Sequence, residues 1–394
     1  MKKTIEDFEL NNKKVIIRCD FNVPIQDGKI IDDNRIVESL RTIKYAMEKG
    51  AKLILMSHLG KIKEEADKEK NTLKPVADRL SELLGKEVKF VHATRGEKLE
   101  EAVNALMPGD VLLMENTRYE DVPGKLESGN DPELAKYWAS LGEVFINDAF
   151  GTCHRAHASN VGIASNLPSG LGFLVGKEYE ALSVLNEPVH PFVVILGGSK
   201  VSDKIGVISN LVTKADKIMI GGGMAYTFLK AKDINIGKSI LDEESIDFCK
   251  EMLKKYSDKI VLPVDNMVTK EFSNDVPNRC AELGTIQDDE MGMDIGEKTV
   301  EEFSNILDSA KMVFWNGPLG VYEFSKYTVG TEKVLAKLVS LEGTTTILGG
   351  GDIVAASAKL GYKDKVTHAS TGGGVTLEFM EGKPLPGVEA VMNK

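Results

Sequence analysis

Four apolar, strand-like runs in the second half of this chain end in glycine clusters, and the residues in those clusters are of types that handle phosphate. Phe192–Leu196 leads into Gly197, Gly198, Ser199 and Lys200, and Lys217–Ile220 into Gly221, Gly222 and Gly223. Thr345–Leu348 leads into Gly349, Gly350, Gly351 and Asp352, and residues 366–370 into Thr371, Gly372, Gly373 and Gly374. In a parallel sheet such turns lie at the carboxyl edge, where backbone amides and helix N-termini can surround phosphate oxygens. One cluster is weak evidence. Four on one edge describe a surface for a polyanionic ligand such as a nucleotide.

The charged residues near these turns extend the pattern. Lys200 and Lys204 bracket the start of a helix, where two ammonium groups and the positive dipole end can meet phosphate oxygens. Asp352 suits Mg2+, which takes one or two carboxylates together with phosphate oxygens and water. The same carboxylate could equally cap the helix expected to begin at Ile353. Glu323, in Asn316-Gly317-Pro318-Leu319-Gly320-Val321-Tyr322-Glu323, could accept from ribose hydroxyls. No G-x-x-x-x-G-K-[ST] string is present, and no cluster carries a full G-x-G-x-x-G fingerprint with a ribose-binding acid, which disfavours a P-loop ATPase and a dinucleotide dehydrogenase.

The first half holds a different set. Its first strand ends in Arg18-Cys19-Asp20-Phe21-Asn22-Val23-Pro24, and Arg35 opens the next helix. The second strand delivers Ser57-His58-Leu59-Gly60-Lys61, the fourth Glu115-Asn116-Thr117-Arg118, and the fifth leads through Asp148 to His154, Arg155 and His157. If the strands are parallel, one rim gathers Arg35, His58, Lys61, Arg118, His154, Arg155 and His157. Guanidinium forks suit phosphate and carboxylate oxygens, while Asp20 and Asn22 suit a substrate hydroxyl. Arg18 could instead be a structural partner. The rim reads as a site for a small, doubly anionic molecule. No Ser-His-Asp or zinc-ligand spacing appears, consistent with phosphoryl transfer, which proceeds by positioning and charge neutralisation.

These residues need a scaffold that alternates strand and helix, and the hydrophobic pattern supplies one. Strands are expected at Lys14–Arg18, 53–57, Val88–Val91, 111–115 and Val144–Asn147, then at Phe192–Leu196, Lys217–Ile220, 260–264, 312–315, Thr345–Leu348 and 366–370. Helices are expected at 35–49, 72–84, 98–105, 132–141, 176–185, 202–213, 224–230, 243–255, 299–309, 331–340 and 353–360. Asp131-Pro132 marks a helix start and Gly361 a helix end. Pro188 and Pro191 break the pattern, so the domain junction is placed there.

At 394 residues the chain is long for one core and ample for two domains. Its hydrophobic and charged fractions, 42% and 28%, are ordinary for a globular protein. A net charge of −11 argues against nucleic acid as a partner. The amino-terminal residues form no apolar signal region, and no run of 18 apolar residues occurs, so no membrane role is expected. Four scattered cysteines without CxxC spacing point to reduced thiols and a cytoplasmic protein.

Nine strings together resemble phosphoglycerate kinases. They are RCDFNVP (18–24), SHLGK (57–61), ENTR (115–118), DAFGTCHRAHAS (148–159), GGSKVSDK (197–204), GGGMAYTFL (221–229), WNGPLGVYE (315–323), GGGD (349–352) and STGGG (370–374). The resemblance covers nearly the whole chain in the family's order. It implies two doubly wound, Rossmann-like parallel-sheet domains facing a cleft and joined by a bridging helix and hinge. Residues 1–175 would form the phosphoglycerate domain, 176–188 the connecting helix and hinge, and 189–378 the nucleotide domain. Residues 379–394 would be a tail returning toward the first domain.

The implied activity is reversible transfer of the acyl phosphate of 1,3-bisphosphoglycerate to ADP, with Mg2+, in a monomer that closes about its hinge. The resemblance assigns Asp20, Phe21, Asn22, Arg35, His58, Leu59, Gly60, Lys61, Arg118 and Arg155 to the glycerate substrate. It assigns Lys200, Lys204, Gly221, Gly222, Gly223, Gly292, Asn316, Glu323, Gly350, Gly351, Asp352 and Ile353 to the nucleotide, with Asp352 on the metal. Arg35, Lys200, Gly372 and Gly373 would attend the transferring group. Two positions depart from the family pattern. Lys61 replaces an expected arginine, exchanging a fork for a point charge, and GLDIGP reads Gly292-Met293-Asp294-Ile295-Gly296-Glu297.

Overall fold

The apolar runs become strands buried on both faces. A computed structural model describes residues 1–394. The first eight strands are β1 (Lys14–Arg18), β2 (Ile25–Gln26), β3 (Lys29–Ile30), β4 (Lys52–Met56), β5 (Val88–Val91), β6 (Val111–Met114), β7 (Val144–Asn147) and β8 (Ser169–Leu171). Six of them form a wholly parallel sheet in the order β5-β6-β4-β1-β7-β8, while β2 and β3 make a separate hairpin.

Successive strand residues point to opposite faces, and the two cores sort accordingly. Val15, Ile17, Leu53 and Leu55 pack with Ile36, Ile43, Val76 and Leu80 from helices Asn34–Glu48 and Lys74–Leu84. Ile16, Ile54 and Leu112 pack on the other face with Leu99, Leu134 and Trp138 from helices Glu97–Asn104 and Pro132–Ser140. Continuous apolar strands covered by helices on both sides are what a parallel sheet requires. Asp131 caps its helix as expected, accepting from the Glu133 and Leu134 amides at 3.1 and 2.8 Å, with Pro132 at the first position.

The second half continues with β9 (Phe192–Leu196), β10 (Lys217–Ile220), β11 (Ile260–Val261), β12 (Asp265–Thr269), β13 (Asn278–Glu282), β14 (Met291–Ile295), β15 (Met312–Asn316), β16 (Thr345–Leu348) and β17 (His368–Ala369). A second six-stranded parallel sheet runs β11-β10-β9-β15-β16-β17. Val193, Ile195, Val313, Trp315 and Leu348 bury one of its faces under Phe303, Leu307, Val334, Leu335 and Ile353. The four glycine clusters follow β9, β10, β16 and β17, so all four sit at one carboxyl edge.

Three local expectations change. The strand expected over 260–264 stops at Val261, because Pro263 offers no ladder donor, and the chain turns into an antiparallel sheet, β13-β12-β14. The helices expected at 202–213 and 243–255 each begin with a 3₁₀ turn, Ser202–Lys204 and Glu243–Ser245. The helix expected at 176–185 lies at Phe173–Ser183. The chain divides into two compact units, Met1–Glu180 with Pro384–Lys394, and Ala181–Lys383. No helix is long and apolar enough to cross a membrane.

Candidate active site

In the first unit, the segments following β1, β4, β6 and β7 are held together by their own polar groups. Phe21 and Leu59 bury their side chains and spend their amides internally, on Ser57 Oγ at 2.8 Å and Asn116 Oδ1 at 3.1 Å. They thereby hold Asp20, Asn22, His58 and Gly60 in register. The Gly60 amide donates to Asn22 Oδ1 at 2.9 Å, and Arg118 Nη1 donates to the Gly60 carbonyl at 2.9 Å. Gly60 has φ +60, and a Cβ there would meet Asn71 Oδ1 at 2.1 Å.

Arg35 reaches Asp20 Oδ2 from the first turn of its helix at 2.7 Å. Arg35, Lys61 and Arg155 are exposed, whereas His58 is buried and Arg118 half-buried. The cations outnumber their counter-charges. Burial and then the charges of Arg18, Arg118, His157 and Arg35 hold His58 well below the usual imidazole range. His157 is pushed down to about 3, by burial first and then by Arg18, Arg118 and Arg155. Arg118 Nε is buried without a hydrogen-bond partner. Neutral imidazoles among guanidiniums, with a donor left unsatisfied, make a pocket that favours an anion. Arg18, by contrast, is fully buried, with Nε, Nη1 and Nη2 spent on Ser159 Oγ, the Cys19 carbonyl and His58 Nδ1, which fits a structural partner.

The second unit packs its glycine turns against each other. A Cβ at Gly197 would fall 2.0 Å from the Pro318 carbonyl oxygen, and one at Gly221 2.4 Å from Leu319 Cδ2. Gly222 has φ +62, and Gly223 approaches the Ser199 backbone. The absence of side chains lets the loops after β9, β10 and β15 stack backbone on backbone. Lys204 lies beneath them, buried, its Nζ bonded to the carbonyls of Gly197 and Asn316. Burial lowers its pKa to about 8 against the opposing pull of Asp352 and Asp203. Lys200 is exposed nearby in sequence, and its charge is felt at Asp242.

A cleft of about 460 Å3 opens along these loops, lined by Gly198, Gly222, Gly223, Gly292, Glu323 and Asp352 among others. Its walls add Tyr226, Ile240, Phe272, Met291 and Met293, none of them named from the sequence. Ile240 and Phe272 are exposed apolar residues, 43% and 63%, and the signal for Phe272 in the sequence is a lone aromatic in the polar run Lys270-Glu271-Phe272-Ser273-Asn274. A Cβ at Gly292 would overlap Tyr226 Oη at 1.8 Å, and the Gly292 amide is bonded to Ser239 Oγ at 2.8 Å.

Around the third glycine cluster, Asn316 Nδ2 donates to the Gly349 carbonyl at 2.5 Å while its Oδ1 is buried and unpartnered. Gly350 (φ +99) precedes the helix Gly351–Lys359, with Ile353 buried and Asp352 exposed in the first turn. Gly350, not Asp352, occupies the N-cap position. The last cluster bends at Gly373 (φ +53), and the Gly372 amide donates to Ser370 Oγ at 3.2 Å. No group of three or more His, Cys, Asp or Glu side chains is arranged to hold a metal. A lone carboxylate fits an ion carried largely by phosphates and water, not a resident all-protein site.

Comparison with known proteins agrees with this geometry. The family model for phosphoglycerate kinase matches residues 5–383. Phosphoglycerate kinases of Macrococcus caseolyticus and Listeria innocua are 59% and 58% identical over the full length of both chains. The solved phosphoglycerate kinase of Coxiella burnetii superposes with a TM-score of 0.92 at 37% identity, covering 99% of this chain and 98% of that one. That of Pyrococcus horikoshii gives 0.81 at 32%, covering 98% of each. Two doubly wound sheets, a guanidinium rim on one, a glycine-edged cleft on the other and a full-length match leave one conclusion: the chain belongs to the phosphoglycerate kinase family.

Proposed function

We propose that the rim of the first unit binds 3-phosphoglycerate or its 1,3-bisphosphate through Asp20, Asn22, Arg35, His58, Lys61, Arg118 and Arg155. The cleft of the second binds ADP or ATP with Mg2+. The chain is a phosphotransferase acting on a carboxyl group, in glycolysis. The reaction is reversible transfer of the acyl phosphate of 1,3-bisphosphoglycerate to ADP, giving 3-phosphoglycerate and ATP. The carboxylate leaving group is a weak base, so this direction needs no general acid.

The work left to the protein is alignment and charge neutralisation. Arg35, held on one side by Asp20, presents the rest of its fork to the transferring group, and Lys200 approaches it from the nucleotide side. Lys204 supplies a buried cation beneath the phosphate turns, Glu323 accepts from the ribose, and the amide of Gly373 faces the oxygens in flight. Gly372 already spends its amide on Ser370 and shapes the bend. Mg2+, held by Asp352, would neutralise nucleotide phosphate charge. Because the two ligands belong to different units, transfer requires hinge closure, and scattering profiles that do not change when both ligands bind would contradict it.

The observation that carries this reading is Arg118 Nε, buried and unpartnered beside His58, an imidazole held neutral by burial and then by Arg18, Arg118, His157 and Arg35. Four unpaired cysteines, three of them buried, fit a reducing cytoplasm, and the family resemblance suggests a monomer. A coupled assay measuring ATP from ADP and 1,3-bisphosphoglycerate tests the reading. Binding of both ligands without turnover would mean a binding protein instead.

A further inference from the structure

Behind the guanidinium rim runs a buried chain of polar groups that the substrate assignments do not use. Glu127, Ser159 and Arg18 are each 0% exposed. Ser159 donates twice to the Glu127 carboxylate, from its amide to Oε2 at 2.9 Å and from its hydroxyl to Oε1 at 2.5 Å. With the hydroxyl proton committed, Ser159 Oγ is left as an acceptor, and Arg18 Nε donates to it at 2.8 Å. Arg18 directs Nη1 to the Cys19 carbonyl at 2.5 Å and Nη2 to His58 Nδ1 at 3.2 Å.

The direction of each bond is fixed by the groups themselves. A guanidinium only donates, so Nδ1 of His58 must accept and carries no proton. The ring proton then resides on Nε2, which bonds to no protein group. We propose that Glu127 and Ser159 are positioning residues which, acting through Arg18, hold His58 as the neutral Nε2–H tautomer and turn that N–H toward the anionic oxygens of bound phosphoglycerate. The ligand half of this statement rests on the rim assignment above.

Electrostatics agrees. Charged and titratable groups face His58 from four elements: Arg18 on β1, Arg35 on the following helix, Arg118 after β6 and His157 after β7, and all oppose a charged imidazole. A neutral ring adds a donor to the rim without adding to that repulsion. The other tautomer would aim a lone pair at the anion. A buried carboxylate is costly, and apolar replacements of buried ionic groups are often neutral or stabilising. Setting a donor's direction gives Glu127 a function that filling space would not.

The test is the 15N spectrum of the histidine rings in the whole wild-type enzyme, with His58→Gln used only to assign the peak. We expect His58 Nε2 to be pyrrole-type and Nδ1 pyridine-type from about pH 5 to 8, the interval in which a free imidazole titrates. Nε2 should shift when 3-phosphoglycerate is added. A ring protonated on Nδ1, or on both nitrogens, that still responds to 3-phosphoglycerate overturns the relay alone. A correct tautomer that ignores 3-phosphoglycerate overturns the ligand half together with the rim assignment. Ser159→Ala should mix the tautomers and raise KM for 3-phosphoglycerate about tenfold, one charge-assisted hydrogen bond, leaving kcat and KM for ATP unchanged. An unaltered tautomer and KM in that variant would also overturn the relay, and the wild-type spectrum decides even if Ser159→Ala does not fold.

Discussion

Arg35 Nη1 donates to Asp20 Oδ2 across 2.7 Å, joining a carboxylate side chain 9% exposed to a guanidinium side chain 46% exposed. The pair is single-pointed, so Asp20 aims the fork without occupying it. The pair is open on the Arg35 side only, so its loss should cost stability about 1 kcal/mol, the upper end of exposed pairs. Catalysis should notice more. Arg35→Ala is expected to lower kcat by about 10²- to 10³-fold, the usual cost of removing one donor from developing charge, with KM for ATP unchanged. Comparable losses in kcat and nucleotide affinity would contradict its assigned role.

Lys204 gives the site a pH limit. Its pKa is lowered to about 8, chiefly by burial, so in the free enzyme the ammonium is present below that value and lost above it. We expect kcat/KM for the nucleotide to fall as pH rises through about 8, because that parameter reports the free enzyme. At saturating nucleotide, kcat should hold to higher pH, since bound phosphates favour the charged lysine. A nucleotide kcat/KM that stays flat well into alkaline solution would remove Lys204 from phosphate binding.

Gly350 tests the nucleotide turn. Its φ of +99 suits glycine alone, and a Cβ would lie 2.4 Å from Asn316 Nδ2. Gly350→Ala should cost about 1–3 kcal/mol in urea unfolding, the usual scale of such strain, and raise KM for ATP more than KM for 3-phosphoglycerate. Gly343→Ala is the control. It shares the positive φ but has open space around it, so it should lose stability with both KM values unchanged.

Lys61 is exposed on the rim where the family pattern expects arginine. Lys61→Arg would restore a fork that can bind two oxygens at once. We expect KM for 3-phosphoglycerate to fall by about two- to fivefold, within the range of one exposed charge contact, with kcat steady. Initial-rate measurements at saturating ATP check it. No change would mean that Lys61 lies outside the ligand's reach.

The readable parts of the chain were those where one residue type is forced. Gly197, Gly221 and Gly350 tolerate no side chain, so their clusters announce the edge of the second sheet. The buried strands β1 and β9 read as unbroken apolar runs for a similarly simple reason. The antiparallel sheet was not readable, because β13 is Asn-Arg-Cys-Ala-Glu, polar and largely exposed, with no alternation to detect. Glu127 was missed for another reason. It sits in Gly124-Lys125-Leu126-Glu127-Ser128-Gly129-Asn130, which looks like a solvated loop, and only folding shows its carboxylate meeting Ser159. Burial of a lone acid is a tertiary property, and local pattern does not encode it.

The last residues of the chain belong to its first unit. Lys3 N bonds to the Met392 carbonyl at 2.8 Å, and Lys394 N to the Met1 carbonyl at 2.9 Å. Asn147 Nδ2, at the end of β7, holds the Gly387 carbonyl at 2.8 Å, and the Gly387 amide returns to Cys153 at 2.9 Å. On the ribosome, therefore, the half that is made first is the half that is finished last. Without residues 384–394 the guanidinium rim would lack the clasp behind its fifth sheet segment, even though every residue of the rim itself had been translated.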